Sequence, residues 1–134
     1  RNFPVRQASI RALSGTVLAA DCIGTAAGFA AAARLPYSND GSELAALGNH
    51  AWCLDPPRLT AAGDRGTGDF GSPRTAVDPR HRGGSTASFC DGHVERLTPD
   101  RLGYRLAGDG SFTDEGDNAL FSGTGRDDDP PPVW

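Results

Sequence analysis

Apolar residues in this chain come in short runs, and each run stops at Gly, Pro or Asp. Such runs predict short strands and turns, because no stretch sustains the i, i+3, i+4 recurrence of a long amphipathic helix. Ser14–Cys22 (Ser-Gly-Thr-Val-Leu-Ala-Ala-Asp-Cys) is the first, read as a buried strand after a turn. Thr25–Leu35 is rich in Ala and Gly and reads as a short helix or a loop, ended by Pro36. After the turn region 37–42, Ser42 is placed to cap a short helix over Glu43–Leu47, with Gly48 as its stop. Asn49–Leu54 is a further strand, closed by Asp55-Pro56-Pro57. From Thr60 to Arg80 the chain is polar and rich in Gly, Asp, Arg and Pro, which predicts a long surface loop.

The best-defined local signal lies at Ser85–Leu97. Two strand-like runs, Ser85–Cys90 and His93–Leu97, flank Asp91-Gly92. An Asp-Gly pair between strands predicts a two-residue type I′ hairpin, since both central positions need positive φ. That register sets Cys90 opposite His93, Phe89 opposite Val94 and Ala87 opposite Arg96. It puts Ala87, Phe89 and Val94 on one core face. Thr98-Pro99-Asp100 then announces a short helix to about Tyr104, with Gly103 near its end. Beyond it lie acidic loops and the run Asp127-Asp128-Asp129-Pro130-Pro131-Pro132, which is expected to be extended. The expected fold class is α+β: a small antiparallel sheet with the Asp-Gly hairpin at its centre, short helices and long loops. A single domain over 1–134 is expected, with an acidic, Pro-rich tail at 122–134.

Composition sharpens this picture. A chain of 134 residues fits one domain, and Gly 18 with Pro 10 favours turns over a helical bundle. Net charge is -4, and all 13 basic residues are Arg, so a nucleic-acid partner is not expected. No run of about 18 apolar residues is present, nor a signal peptide. Met is absent even at position 1, which leads us to expect a trimmed or processed piece of a longer chain. Cys22, Cys53 and Cys90 lack the spacing of a zinc site. One disulfide with one thiol, or three buried thiols, stand as equal alternatives, and all three pairings are open.

Around His81 the residues fall into a known pattern. Asp78-Pro79-Arg80-His81-Arg82-Gly83-Gly84-Ser85 runs into Phe89-Cys90-Asp91-Gly92-His93-Val94, with nine residues between His81 and Asp91-Gly92. This resembles the H-X9-DG domain, the prepilin-type processing-associated domain that closes many pseudopilin-like proteins of planctomycetes. Ser14–Asp21, Leu54–Arg58, Leu97–Tyr104 and Asn118–Asp127 resemble the same family, and the domain's core region falls at 78–104. The resemblance implies a longer protein with a methylation-type leader, cut by a prepilin peptidase, and one long apolar helix. That helix would anchor the subunit in the inner membrane and pack into a filament with other pseudopilin subunits. The present chain would be the head, a small sheet packed on that helix, exported to the periplasm or cell surface. The resemblance implies a structural subunit and no enzyme.

Several residue sets are weighed as chemistry against that reading. His81, Asp91 and His93 together are a possible transition-metal set, and a small metalloenzyme is the third reading. Turn geometry already explains Asp91 and Gly92, so His81, Gly83, Gly84, Asp91, Gly92 and His93 are read as motif residues with structural roles. Asp109, Asp114, Asp117 and Asp127 are candidate calcium ligands, and pseudopilins are known to hold calcium in a C-terminal loop. No EF-hand spacing fits them, and a solvated acidic surface is the plain alternative. Cys90 beside His93 suggests a thiol nucleophile, weighed against an inert strand cysteine. Asp21, Asp55 and Asp78 would pair as carboxylates only if the fold gathers them. Trp52, Tyr37, Tyr104 and Trp134 are core or rim residues, or line a sugar-binding face. A secreted calcium- or polysaccharide-binding module is therefore the alternative function.

Overall fold

The computed structural model describes residues 7–34, 54–58 and 75–128. The helix expected over 43–47, nearly all of the strand expected over 49–54, Trp52, Cys53 and positions 60–74 of the expected loop lie outside them. Three strands, β1 (Val17–Ala20), β2 (Ser85–Phe89) and β3 (Val94–Leu97), form one antiparallel sheet in the order β1-β2-β3. The central strand is the one carrying the hairpin, as the sequence predicts. Helical structure among the described residues is limited to 3-10 turns at Gln7–Ser9, Leu13–Gly15, Gly24–Gly28 and Ala31–Ala33.

The hairpin departs from the expected register by one residue. Ser88 pairs with Val94, Ala87 with Glu95, Thr86 with Arg96 and Ser85 with Leu97. The loop is Cys90-Asp91-Gly92, three residues long. Gly92 N–H donates to Phe89 O at 2.9 Å, Phe89 N–H donates to His93 O at 3.0 Å, and Gly92 holds φ 94°. This is the turn-plus-bulge loop in which only the last position needs positive φ. Cys90 belongs to the loop because its N–H is spent on Thr16 O (2.9 Å) at the start of β1. A slip of one residue moves side chains to the other face. Val94 accordingly sits on the outer face, 63% exposed, while Ala87, Phe89 and Leu97 are buried.

The strand expected over 14–22 is shorter and lies at the sheet's edge. Its pairing shifts between Val17 and Ala19, a bulge that leaves both Leu18 and Ala19 on the outer side. Leu18 is 70% exposed, so the expectation of a buried strand is corrected. The end of the expected surface loop is also corrected. Thr75, Ala76 and Val77 are buried: Val77 bridges Cys22, and Ile23 N–H donates to Ala76 O at 2.9 Å. Two apolar residues suffice to bury this segment, since they sit against the inner face.

The core lies on that inner face, under the segment that follows β3. Thr98–Tyr104 makes a single hydrogen-bonded turn in place of the expected helix. Leu102 N–H donates to Thr98 O (3.0 Å), Gly103 N–H to Asp100 O (3.0 Å) and Tyr104 N–H to Pro99 O (2.9 Å). The last two bonds, with Gly103 at φ 90°, are a helix C-terminal motif arriving after one turn. Gly103 also tolerates no side chain, because a Cβ there would overlap the Asp117 carbonyl oxygen. The turn delivers Tyr104 to the core. Its ring meets Phe112 and Phe121 edge-on, at 5.6 and 5.7 Å between centroids, and its hydroxyl donates to Asp55 O. Edge-to-face pairs of this kind add about 0.5–1.5 kcal/mol beyond area burial.

Candidate functional site

The motif residues occupy the two ends of β2. At its start, His81 and Gly84 pair across Arg82-Gly83, with reciprocal bonds of 3.0 and 3.1 Å. Arg82 and Gly83 hold φ 52° and 78°, so the two-residue primed turn is here and not at Asp91-Gly92. His81 Nε2 lies 3.1 Å from Asp21 Oδ2, and that same oxygen accepts the Thr86 N–H at 3.0 Å. Arg96 donates from Nη1 to His81 O (2.9 Å) and Arg82 O (3.3 Å). Its side chain crosses directly over Gly84, where a Cβ would stand 3.1 Å from Arg96 Cγ.

At the far end, Asp91 Oδ1 accepts the His93 N–H at 3.1 Å and stands 2.6 Å from His93 Nδ1. The bonds from His93, backbone first and ring second, hold the Asp91 carboxyl below its ordinary range. The His93 ring stacks on Phe89 at 4.2 Å with planes 6° apart. Burial, with the Asp91 charge behind it, pushes the Cys90 thiol up. An activated thiol nucleophile needs the opposite shift.

His81 therefore does not meet Asp91 and His93. The strand between them holds the two ends roughly 20 Å apart at about 3.3 Å per residue. Asp21, Asp55 and Asp78 likewise find separate partners. Asp21 pairs with His81, Asp78 with Arg80 at 2.6 Å, and Asp55 Oδ2 accepts the Thr75 N–H at 2.7 Å. The same ruler applies to the cysteines. Cys90 is bonded beside Thr16 and Cys22 lies past the other end of β1, roughly 20 Å away. A disulfide needs Cα atoms about 4.4–6.8 Å apart, so the Cys22–Cys90 pairing is excluded.

Asp109, Asp117 and Asp127 are engaged in bonds within the fold. Asp109 Oδ1 accepts Ser111 Oγ–H (2.7 Å) and N–H (2.9 Å), which lower its pKa. Asp117 accepts the Ala119 N–H (2.7 Å), and Asp127 pairs with Arg58 (2.8 Å) and accepts the Asn118 N–H (2.8 Å). Asp114 lies half-buried in the same region. Among the described residues no group of three or more His, Cys, Asp or Glu side chains is placed to hold a metal ion. No helix among them is long and apolar enough to cross a membrane.

Two groups to which the sequence assigns no role of their own organise these loops. Asn118 is fully buried: Oδ1 accepts the Arg58 N–H (2.8 Å), and Nδ2 donates to Arg58 O (3.0 Å) and Asp128 O (3.3 Å). Arg34 binds four carbonyls around the Ala-rich turn. Neither has a local pattern that marks it. An open cleft of about 220 Å³ lies between Asp100, Arg101, Arg105, Asp117 and Leu120, crossed by the Asp100–Arg105 ion pair. No protein-family model, curated protein or solved structure matches the chain.

Proposed function

We propose that this chain is the head domain of a pilin-like structural subunit, one that assembles into a type IV pilus-like or secretion-type filament. The observation that carries this reading is the hairpin of β2, the sheet's central strand, with β3, flanked by the residues of the H-X9-DG pattern. Each titratable group of that pattern is spent on a neighbour within the fold: His81 on Asp21, Asp91 on His93. That use suits architecture better than chemistry on a substrate.

A second feature supports the reading. The outer face of the sheet carries Leu18 and Val94, 70% and 63% exposed, on its two edge strands. Large apolar groups placed on one sheet face, outside the core, favour a covering element. In this reading the cover is the N-terminal apolar helix of the longer protein, anchored in the inner membrane with the head exported. Leu18→Asp and Val94→Asp test it. In the 134-residue chain each shifts Tm by less than about 2 °C, because exposed positions tolerate polar groups. In the full-length protein in its own cells the double substitution abolishes incorporation into filaments. Normal incorporation would contradict the reading.

A further inference from the structure

We infer that the nine residues between His81 and Asp91 are a length gauge: the motif latches the central strand at both ends and so fixes its register. The nine divide into the two turn residues, Gly84, the five residues of β2, and Cys90. At the start, the primed turn folds His81 back against Gly84 and brings its ring to Asp21, the residue after β1. Asp21 uses its side chain, and not its carbonyl, to accept the Thr86 N–H, so the imidazole pins the first rung between β1 and β2. Arg96 ties β3 to the same turn through His81 O and Arg82 O. At the far end, Asp91 gathers the N–H and ring of His93, and that ring covers Phe89, whose N–H closes the last rung to β3.

The need for a gauge follows from what β1 is. Val17–Ala20 reads Val-Leu-Ala-Ala, contains a bulge, and meets β2 across 65 positions of sequence between Asp21 and Thr86. Small apolar side chains specify register weakly, and a slip of one would turn Ala87 and Phe89 outward. With latches at both ends, His81 reaches Asp21 only in the observed register of β1 against β2, and the bonds of Asp91 to His93 hold the three-residue loop that sets β3 against β2. On this account the pattern is built for strand register and is not a recognition sequence. The inference does not depend on the filament reading.

Amide exchange by NMR on the 134-residue chain tests it. In His81→Ala, the Asp21 and Thr86 amides exchange about three- to tenfold faster, the scale of a partly exposed charged contact. The Phe89, Gly92 and His93 amides stay within about twofold of the parent. Asp91→Ala gives the mirror image. Should His81→Ala fail to fold, Asp21→Asn, which keeps an acceptor for Thr86, provides the same comparison. Equal acceleration at both ends in either variant, or none at either end, overturns the inference.

Discussion

Arg34 shows how much one side chain can organise here. Its guanidinium donates to Ala26 O (3.2 Å), Ala27 O (3.4 Å), Phe29 O (2.9 Å) and Gly110 O (2.6 Å), and lies 5.7 Å over the Phe112 ring. Burial lowers its pKa, yet a guanidinium stays charged. One side chain just past the Ala-rich stretch thus ties residues 26, 27 and 29 to the distant Gly110. Arg34→Ala leaves Phe29 O and Gly110 O short of a donor, while Ala26 O and Ala27 O keep the N–H groups of Phe29 and Phe112, and is expected to cost about 1.5–3 kcal/mol in urea unfolding. Arg34→Lys should recover only part, because an ammonium cannot present the planar fork. None of this is legible in an Ala-rich stretch, since the partner Gly110 stands 76 positions away. Tyr104 was legible as a core or rim aromatic, and burial in the core is where it sits.

The hairpin was legible as an element but not in its loop. Asp-Gly marks a turn reliably, yet a two-residue and a three-residue loop share that dipeptide. The choice fell to Cys90, whose N–H serves a strand the local sequence does not contain. The one-turn segment at 98–104 has the same lesson. Its cap, its Pro and its Gly are all present, but Gly103 comes too soon for a second turn. Gly92 remains the strained position in either register. Gly92→Val should cost about 1–3 kcal/mol, read as a lowered Tm by circular dichroism. An unchanged Tm would remove the hairpin assignment.

Acid should loosen the same loop. The folded Asp91 carboxyl lies below its unfolded value, so its contribution to stability is complete above that value and is lost as pH falls through the folded one. The window opens below about pH 4. Asp91→Asn keeps a turn-forming acceptor and removes the titration. The difference in unfolding free energy between about pH 6 and about pH 3 should therefore narrow in the variant. A difference as wide as the parent's would contradict the pairing with His93.

Over the whole molecule, the sheet and its central strand were legible because their signals are local. What joins the strands was not. Asp21 reads as the end of an apolar run, and only the fold turns it into the partner of both His81 and Thr86. In sequence the segment at 75–77 reads as part of a polar loop because two apolar residues make no period, yet it lines the core. Among the described residues the molecule offers exposed Leu18 and Val94 on one sheet face, a motif whose side chains bond within its own fold, and Asp109, Asp117 and Asp127 held by N–H groups of the chain. These features suit the proposed role of a part carried and packed in a filament. The most direct test is to shear surface filaments from cells that make the full-length protein and probe them with antibody raised against this head. Our account predicts regular labelling along the filaments, with the protein in the sheared fraction. Filaments without label, and the protein confined to a soluble fraction, would contradict it.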